Sequence, residues 1–161
     1  MNLSDRIALF NNGRIEQVGS PEQLYRSPES LFTAMFLGDS NVFDLGDSSF
    51  DAQARWEEET WAVDPRTVAD HPGVLSRSAI VVRPEDVRIA RDITSVPAGA
   101  NTASATLRDL EYMGSYRTAI LAIGRTGQSA TARIDALDSD LTLGDEVVAW
   151  WKPERQRIVA A

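Results

Sequence analysis

The sequence predicts a mainly β protein of two similar lobes, preceded by a β-hairpin and two short helices. Three observations predict this. From residue 41 onward, short runs of strand-forming residues are separated by turn residues, with no convincing long helix, which is the pattern of a sandwich or barrel. The segments IVVRPEDVRIA (80–90) and AWWKPERQRIV (149–159) share Pro-Glu-x-x-Arg-Ile behind an apolar run and a basic residue, at an offset of 69 residues. An internal echo of this kind argues for two related units. Before residue 41 the pattern is instead that of a hairpin followed by capped helices.

Arg6–Phe10 is rich in strand formers, and Asn11-Asn12-Gly13 follows it. An Asn-Gly pair supplies the positive φ that a two-residue hairpin turn requires. Arg14–Val18 then alternates as a half-buried returning strand. Ser20-Pro21-Glu22-Gln23 combines an N-cap, a proline at the first helical position and a capping-box glutamine. Pro28 ends this helix and, with Ser27 as N-cap, is expected to start a second. Leu31, Phe32, Met35 and Phe36 then share one helical stripe, and Gly38 stands where that helix ends.

The expected strands beyond are Val42–Leu45, Phe50–Trp56, Thr60–Val63, Ala79–Val82, Val87–Ala90, Ala103–Met113, Arg117–Ile123, Ser129–Ile134, Glu146–Trp151 and Arg157–Val159. Residues 64–78 and 91–102 read as loops. A weaker echo pairs VFDLG (42–46) with LEYMG (110–114) at an offset of 68, which extends the duplication. In each copy of the Pro-Glu segment the proline ends one strand, since it cannot donate a ladder hydrogen bond.

Composition excludes several classes. The chain of 161 residues has a net charge of −8, and Lys152 is its one lysine among sixteen Lys and Arg. Nucleic-acid binding needs clustered cations, so it is not expected here. With no cysteine there is no disulfide, thiolate metal site or cysteine nucleophile. No apolar run reaches the roughly 20 residues of a membrane helix, so direct membrane insertion is not expected.

Few residues invite chemistry. His71, the one histidine, sits before a Pro-Gly turn without a second ligand nearby and reads as a loop residue. Glu57-Glu58-Glu59 reads as a solvated hairpin tip, because adjacent carboxylates on a strand face opposite ways. Asp138-Ser139-Asp140 lacks the glycine and terminal glutamate of a calcium loop. Neither G-x-x-x-x-G-K-[ST] nor G-x-G-x-x-G occurs, so the chain itself is expected to be no enzyme and to hold no cofactor or metal. Trp150-Trp151 differs: strand neighbours face opposite ways, so at most one ring enters a single core, and the other lies on the surface, under a loop of the chain or, as an interface anchor, against a partner.

The stretch LSDRIALFNNGRIEQVGSPEQLYRSPESLFTAMFLGDSN closely resembles the end of the nucleotide-binding domain in ATP-binding subunits of ABC importers. IVVRPEDVRIA, LEYMGSYRTAILAI and LGDEVVAWWKPE resemble the TOBE domain, an OB-like appendage of spermidine/putrescine-type and maltose-type subunits. The resemblance implies a remnant of the ATPase domain over residues 1–40, a hairpin and two short helices, and two OB-like TOBE lobes over residues 41–161. It implies that the Walker A, signature, Walker B and switch-histidine motifs lie before residue 3, so that this chain is a truncated piece. ATP and Mg would then belong to the parent, along with permease subunits, a solute-binding protein and a cytoplasmic place on the inner face of the bacterial plasma membrane.

On the same basis the chain is expected to be a regulatory, dimer-forming tail, with Trp150, Trp151, Tyr112 and Tyr116 as homodimer contacts. The alternative is a small-solute sensor, in which Asp109, Glu111 or Asp145 would pair with a polyamine. Residues 3–38 carry a sheet edge left without its parent sheet. They are expected to pack across a homodimer or to fold back on the β lobes.

Overall fold

The structure is a computed structural model describing residues 5–46, 52–69, 77–135 and 140–161. Strands β1 (Ile7–Asn11) and β2 (Arg14–Gly19) form the expected hairpin, with Asn12 at φ 49° and Gly13 at φ 76° in its turn. Helix α1 (Pro21–Arg26) starts as expected: the Gln23 N–H donates to Ser20 Oγ at 3.1 Å.

Helix α2 (Leu31–Phe36) departs from the sequence reading in two ways. Its N-cap is Ser30, whose Oγ accepts from the Thr33 N–H at 3.3 Å, while Ser27 closes α1. The expected apolar stripe is also only half covered: Leu31 packs partly buried against the core and Phe32 is partly buried, but Met35 and Phe36 are exposed, and the fully buried residues are Thr33 and Ala34. Small side chains on the inner face let the helix backbone approach the β region closely, and Met35 and Phe36 stay outside.

The β region runs through β3 (Asn41–Gly46), β4 (Gln53–Trp56), β5 (Glu59–Ala62), β6 (Ser78–Val82), β7 (Arg88–Ala90), β8 (Asn101–Tyr112), β9 (Tyr116–Ile123), β10 (Gln128–Asp135), β11 (Glu146–Trp151) and β12 (Gln156–Ala160). Both Pro-Glu segments form the same single 3-10 turn, at Pro84–Asp86 and Pro153–Arg155. The protein is mainly β, as expected.

The two units, β3–β7 and β8–β12, are interleaved. One sheet has the order β10-β9-β8-β11-β7 and another the order β12-β6-β3, so each unit gives its last strand to the other. The exchange is reciprocal in register. Val81 pairs with Arg157 and Ile80 with Ile158, while Trp150 pairs with Arg88 and Ala149 with Ile89. Each position in the first pair set has its counterpart 69 residues away in the second. The weaker echo, by contrast, does not mark equivalent positions. Asn41 pairs with Val82, and Asn101 pairs with Trp151, so the strand equivalent to β3 begins at Asn101, not near Leu110.

Those two asparagines do the same job. The Asn41 side-chain amide accepts from the Thr131 N–H at 2.7 Å and donates to the Thr131 carbonyl at 2.8 Å. Asn101 does this to Ala62, accepting at 2.7 Å and donating at 3.0 Å. Each amide stands in for a strand residue and stitches one unit to the third strand of the other, pairing a backbone N–H and carbonyl there.

The core lies where the units meet. Phe43 stacks on Trp151 at 5.6 Å and meets the edges of Trp56 and Trp61 at 5.0 Å each. Trp61 and Trp151 are 4.8 Å apart, edge to face. The buried Trp151 Nε1–H donates to Gln156 Oε1 at 2.8 Å, and Asn101 Nδ2 donates to the same oxygen at 2.9 Å. The buried indole therefore has its hydrogen-bond partner, which makes a core tryptophan stable.

Candidate functional site

Arg83 is the main side chain that holds the helical segment to the β lobes. Arg83 follows the wholly buried strand β6 and is itself 6% exposed. Its Nη1 donates to the carbonyls of Ala34 (2.9 Å), Gly38 (3.1 Å) and Asp39 (3.2 Å) and to Ser40 Oγ (2.5 Å). Its Nη2 donates to the Tyr25 carbonyl at 3.0 Å, and the guanidinium lies 4.0 Å over the centre of the Tyr25 ring. The Tyr25 and Ala34 carbonyls belong to the last turns of α1 and α2, which leave them without intrahelical partners at the negative end of the helix dipole, and Gly38 and Asp39 follow directly after α2. Burial pulls the Arg83 guanidinium below its usual pKa.

Two further contacts complete this clasp. The Tyr25 hydroxyl donates to Glu85 Oε1 at 2.6 Å, and burial together with this carboxylate pushes the phenol up to about 12. Arg157, on β12, donates to the Pro28 carbonyl at 3.2 Å and to that of Arg66 at 3.0 Å. Between α1 and the two Pro-Glu turns lies a cleft of about 380 Å³, bordered by Tyr25, Arg83, Asp86, Arg155 and Arg157. Residues 20–40 thus fold back on the β lobes, one of the two expected outcomes. The outer hairpin face stays uncovered: Phe10 and Ile15, cross-strand partners, are both exposed, and so is Val18.

The predicted interface residues fall in different places. Trp151 is fully buried and leaves the set of surface candidates, because its side of β11 is the core side; Trp150 is the partly exposed ring. Tyr112 and Tyr116 flank the β8–β9 turn, with Tyr112 exposed and Arg133 stacked 3.7 Å over the Tyr116 ring. Trp150 pairs with Thr102 on β8, ten residues from Tyr112 along the same strand. At about 3.3 Å per residue that is roughly 30 Å, so the two cannot share one small patch.

Asp109 and Glu111 are exposed on the same arm. Asp145 is engaged locally, accepting from the Thr142 N–H and hydroxyl and pairing with Arg91 at 3.4 Å. Its carboxyl is held below the usual range, chiefly by the Thr142 backbone bond. Glu57 accepts from the Arg125 N–H (2.7 Å) and from the Thr126 hydroxyl, and Glu58 pairs with Arg125 at 2.9 Å. The acidic tip is therefore docked on the β9–β10 turn and is not merely solvated. Gly124 makes room for it, since a Cβ there would stand 2.5 Å from Glu57 Oε2. His71, Asp138 and Ser139 lie outside the described residues. Among the described residues no group of three His, Cys, Asp or Glu side chains could hold a metal ion, and no helix is long and apolar enough to cross a membrane.

Sequence reasoning did not identify Arg83 or Tyr25 as a clasp. The available signal was a cation directly after an apolar strand in the repeated segment, a place where charge is buried only if many acceptors meet it.

The fold and its paired Pro-Glu turns define the class: residues 80–159 match the TOBE domain family model and are a TOBE domain. The chain as a whole resembles the C-terminal part of ABC importer ATP-binding subunits. It is 29% identical to a spermidine/putrescine import ATP-binding protein of Thermobifida fusca over 99% of this chain and 41% of that protein. The corresponding protein of Acidothermus cellulolyticus is 31% identical over 96% of this chain and 40% of its own length. The chain thus spans about two fifths of these relatives. Among solved structures, the cytoplasmic molybdate-binding protein ModG shares the fold, with TM-score 0.59 and 16% identity, covering 75% of this chain and 96% of that one.

Proposed function

We propose that this chain is the regulatory, dimer-forming tail of an ABC importer ATP-binding subunit, whose parent couples ATP hydrolysis to uptake of a solute, a polyamine on the names of its relatives. The observation that carries this reading is the similarity running through 99% of the chain, helical segment and lobes alike. The Arg83 clasp supports it, because it ties the helical segment to the lobes. A displacement of the ATPase domain would then reach the lobes through it. ATP and Mg would be bound by the remainder of the parent, and no residue here is assigned to them. The permease subunits and solute-binding protein would be met through that parent, at the cytoplasmic face of the membrane.

The homodimer contact lies either at Tyr112 and Tyr116 or at Trp150, two separate places on the surface, of which one is used. A contact at the tail keeps two ATP-binding halves together while they are open and biases their closure if a regulator binds there. Sedimentation over a wide concentration range tests the tail as a dimer module, using the chain and its Tyr112→Ala and Trp150→Ala variants. A dimer weakened by one of these supports the reading. A monomer at every concentration overturns it and leaves assembly to the ATPase domain. Loss of labelled spermidine uptake on deleting the parent gene tests the solute.

A further inference from the structure

The internal two-fold relation makes one surface stand out. In the first unit, the row Val42–Val81–Arg157 crosses β3, β6 and β12, with Arg83 two residues beyond Val81 on the same face. In the second unit, the equivalent row is Thr102–Trp150–Arg88 across β8, β11 and β7, with Lys152 beyond Trp150. The first row is a seat already filled. Val81 and Arg83 are 3% and 6% exposed beneath residues 20–40, and Arg157 holds the Pro28 carbonyl. The second is open: Arg88 and Lys152 are exposed and Trp150 is partly so.

We propose that the open face formed by Trp150, Lys152 and Arg88 is a docking seat for the C-terminal end of a helix on a partner protein. The filled seat shows what such a surface takes. Arg83 receives the Tyr25 and Ala34 carbonyls from the last turns of two short helices and those of Gly38 and Asp39 just beyond, while Arg157 receives the Pro28 carbonyl after the first helix. The open seat keeps both cations in place, Lys152 for Arg83 and Arg88 for Arg157. Neither makes a hydrogen bond or ion pair among the described residues. Trp150 replaces Val81 with a broader apolar platform, of the kind that anchors interfaces. Two exposed cations flank an indole here on a chain of net charge −8. Their complement is the negative end of a helix dipole, with its free carbonyls or a terminal carboxylate. This seat follows from internal symmetry and does not rest on the importer reading.

The probe is a peptide of residues 20–40, SPEQLYRSPESLFTAMFLGDS, which is the sequence that fits the filled seat and contains no tryptophan. The readout is acrylamide quenching, which reports Trp150 because Trp56, Trp61 and Trp151 are 5%, 1% and 0% exposed. The tethered copy keeps its own seat through an effective concentration on the order of millimolar. The expected result is saturable protection of Trp150. It weakens by about tenfold in Lys152→Glu and strengthens in Lys152→Arg, which restores the planar donor set of Arg83. No protection in either the parent chain or Lys152→Arg up to about 1 mM peptide, a ceiling set by the weakness of such contacts, overturns the proposal. So does binding indifferent to Lys152→Glu. Protection that grows with protein concentration alone assigns the face to a second copy and overturns the partner-protein form.

Discussion

Asp86 and Arg155 face each other at 3.8 Å across the relation between the two units, each standing where the other stands in its own Pro-Glu turn. Glu57 and Thr126, hydrogen bonded at the opposite hairpin tips, are related in the same way, 69 residues apart. A residue can touch its own counterpart only on the symmetry axis, so these two contacts mark where that axis runs. Two identical residues would meet there as like charges or like donors. Divergence to Asp and Arg turns a self-contact into a complementary one.

Exchanging the pair therefore restores it. Asp86→Arg and Arg155→Asp are each expected to lower stability, and the double exchange to recover most of the loss, with a coupling of about 0.5–1 kcal/mol for a pair this exposed. Burial raises the Asp86 pKa above its ordinary 3.8. The stability this raised group contributes is present below 3.8 and is lost as pH rises through its folded value. Asp86→Asn should accordingly match the parent in strong acid and gain melting temperature relative to it toward neutral pH. Thermal melts across that range check both expectations.

Tyr25 gives an alkaline signature. Its phenol is raised from 10.0 to about 12, so its stabilising effect is intact below pH 10 and is lost as pH rises through about 12. Tyrosinate absorbance should show a late ionisation near pH 12 that Tyr25→Phe removes. An unchanged titration in that variant would contradict the Glu85 contact.

Arg83→Met removes donors to five acceptors while keeping much of the apolar stem. The expected cost is about 3 kcal/mol, since buried carbonyls lose a charged donor. Hydrogen exchange should localise the effect, with residues 20–40 losing protection before β6 and β12. Uniform loss across the chain would show that the helical segment and the lobes unfold together.

The two stitching asparagines make a matched pair. Asn41→Ala and Asn101→Ala each leave a backbone N–H and carbonyl without their partner, at about 2–3 kcal/mol apiece. Asn101→Ala should cost more, because it also strips a donor from Gln156 Oε1, which holds Trp151. Urea denaturation of the two variants measures the difference.

The strands from residue 41 were legible because alternation and turn residues are local signals, and each expected strand has its observed counterpart to within a few residues. The Pro-Glu echo was equally legible, since similar short sequences form the same turn. The weaker echo misled, because two apolar residues before a glycine carry no register. The α2 stripe misled for a different reason. An apolar face is buried only where something covers it, and here Ala34 and Thr33 take the fully buried positions while Met35 and Phe36 stay outside.

By itself the sequence determined the element types, the duplication and the resemblance to an importer subunit's tail, because propensity, capping and turn chemistry act over a few residues. It limited Trp150 and Trp151 to one ring in the core without choosing between them. Tertiary structure made that choice, since the core side of β11 is fixed by its pairing with β7 and β8. It also exchanged the last strands and brought Arg83 to carbonyls more than forty residues away in the chain. Those outcomes depend on which buried polar groups find partners once distant segments meet, and no local pattern encodes that.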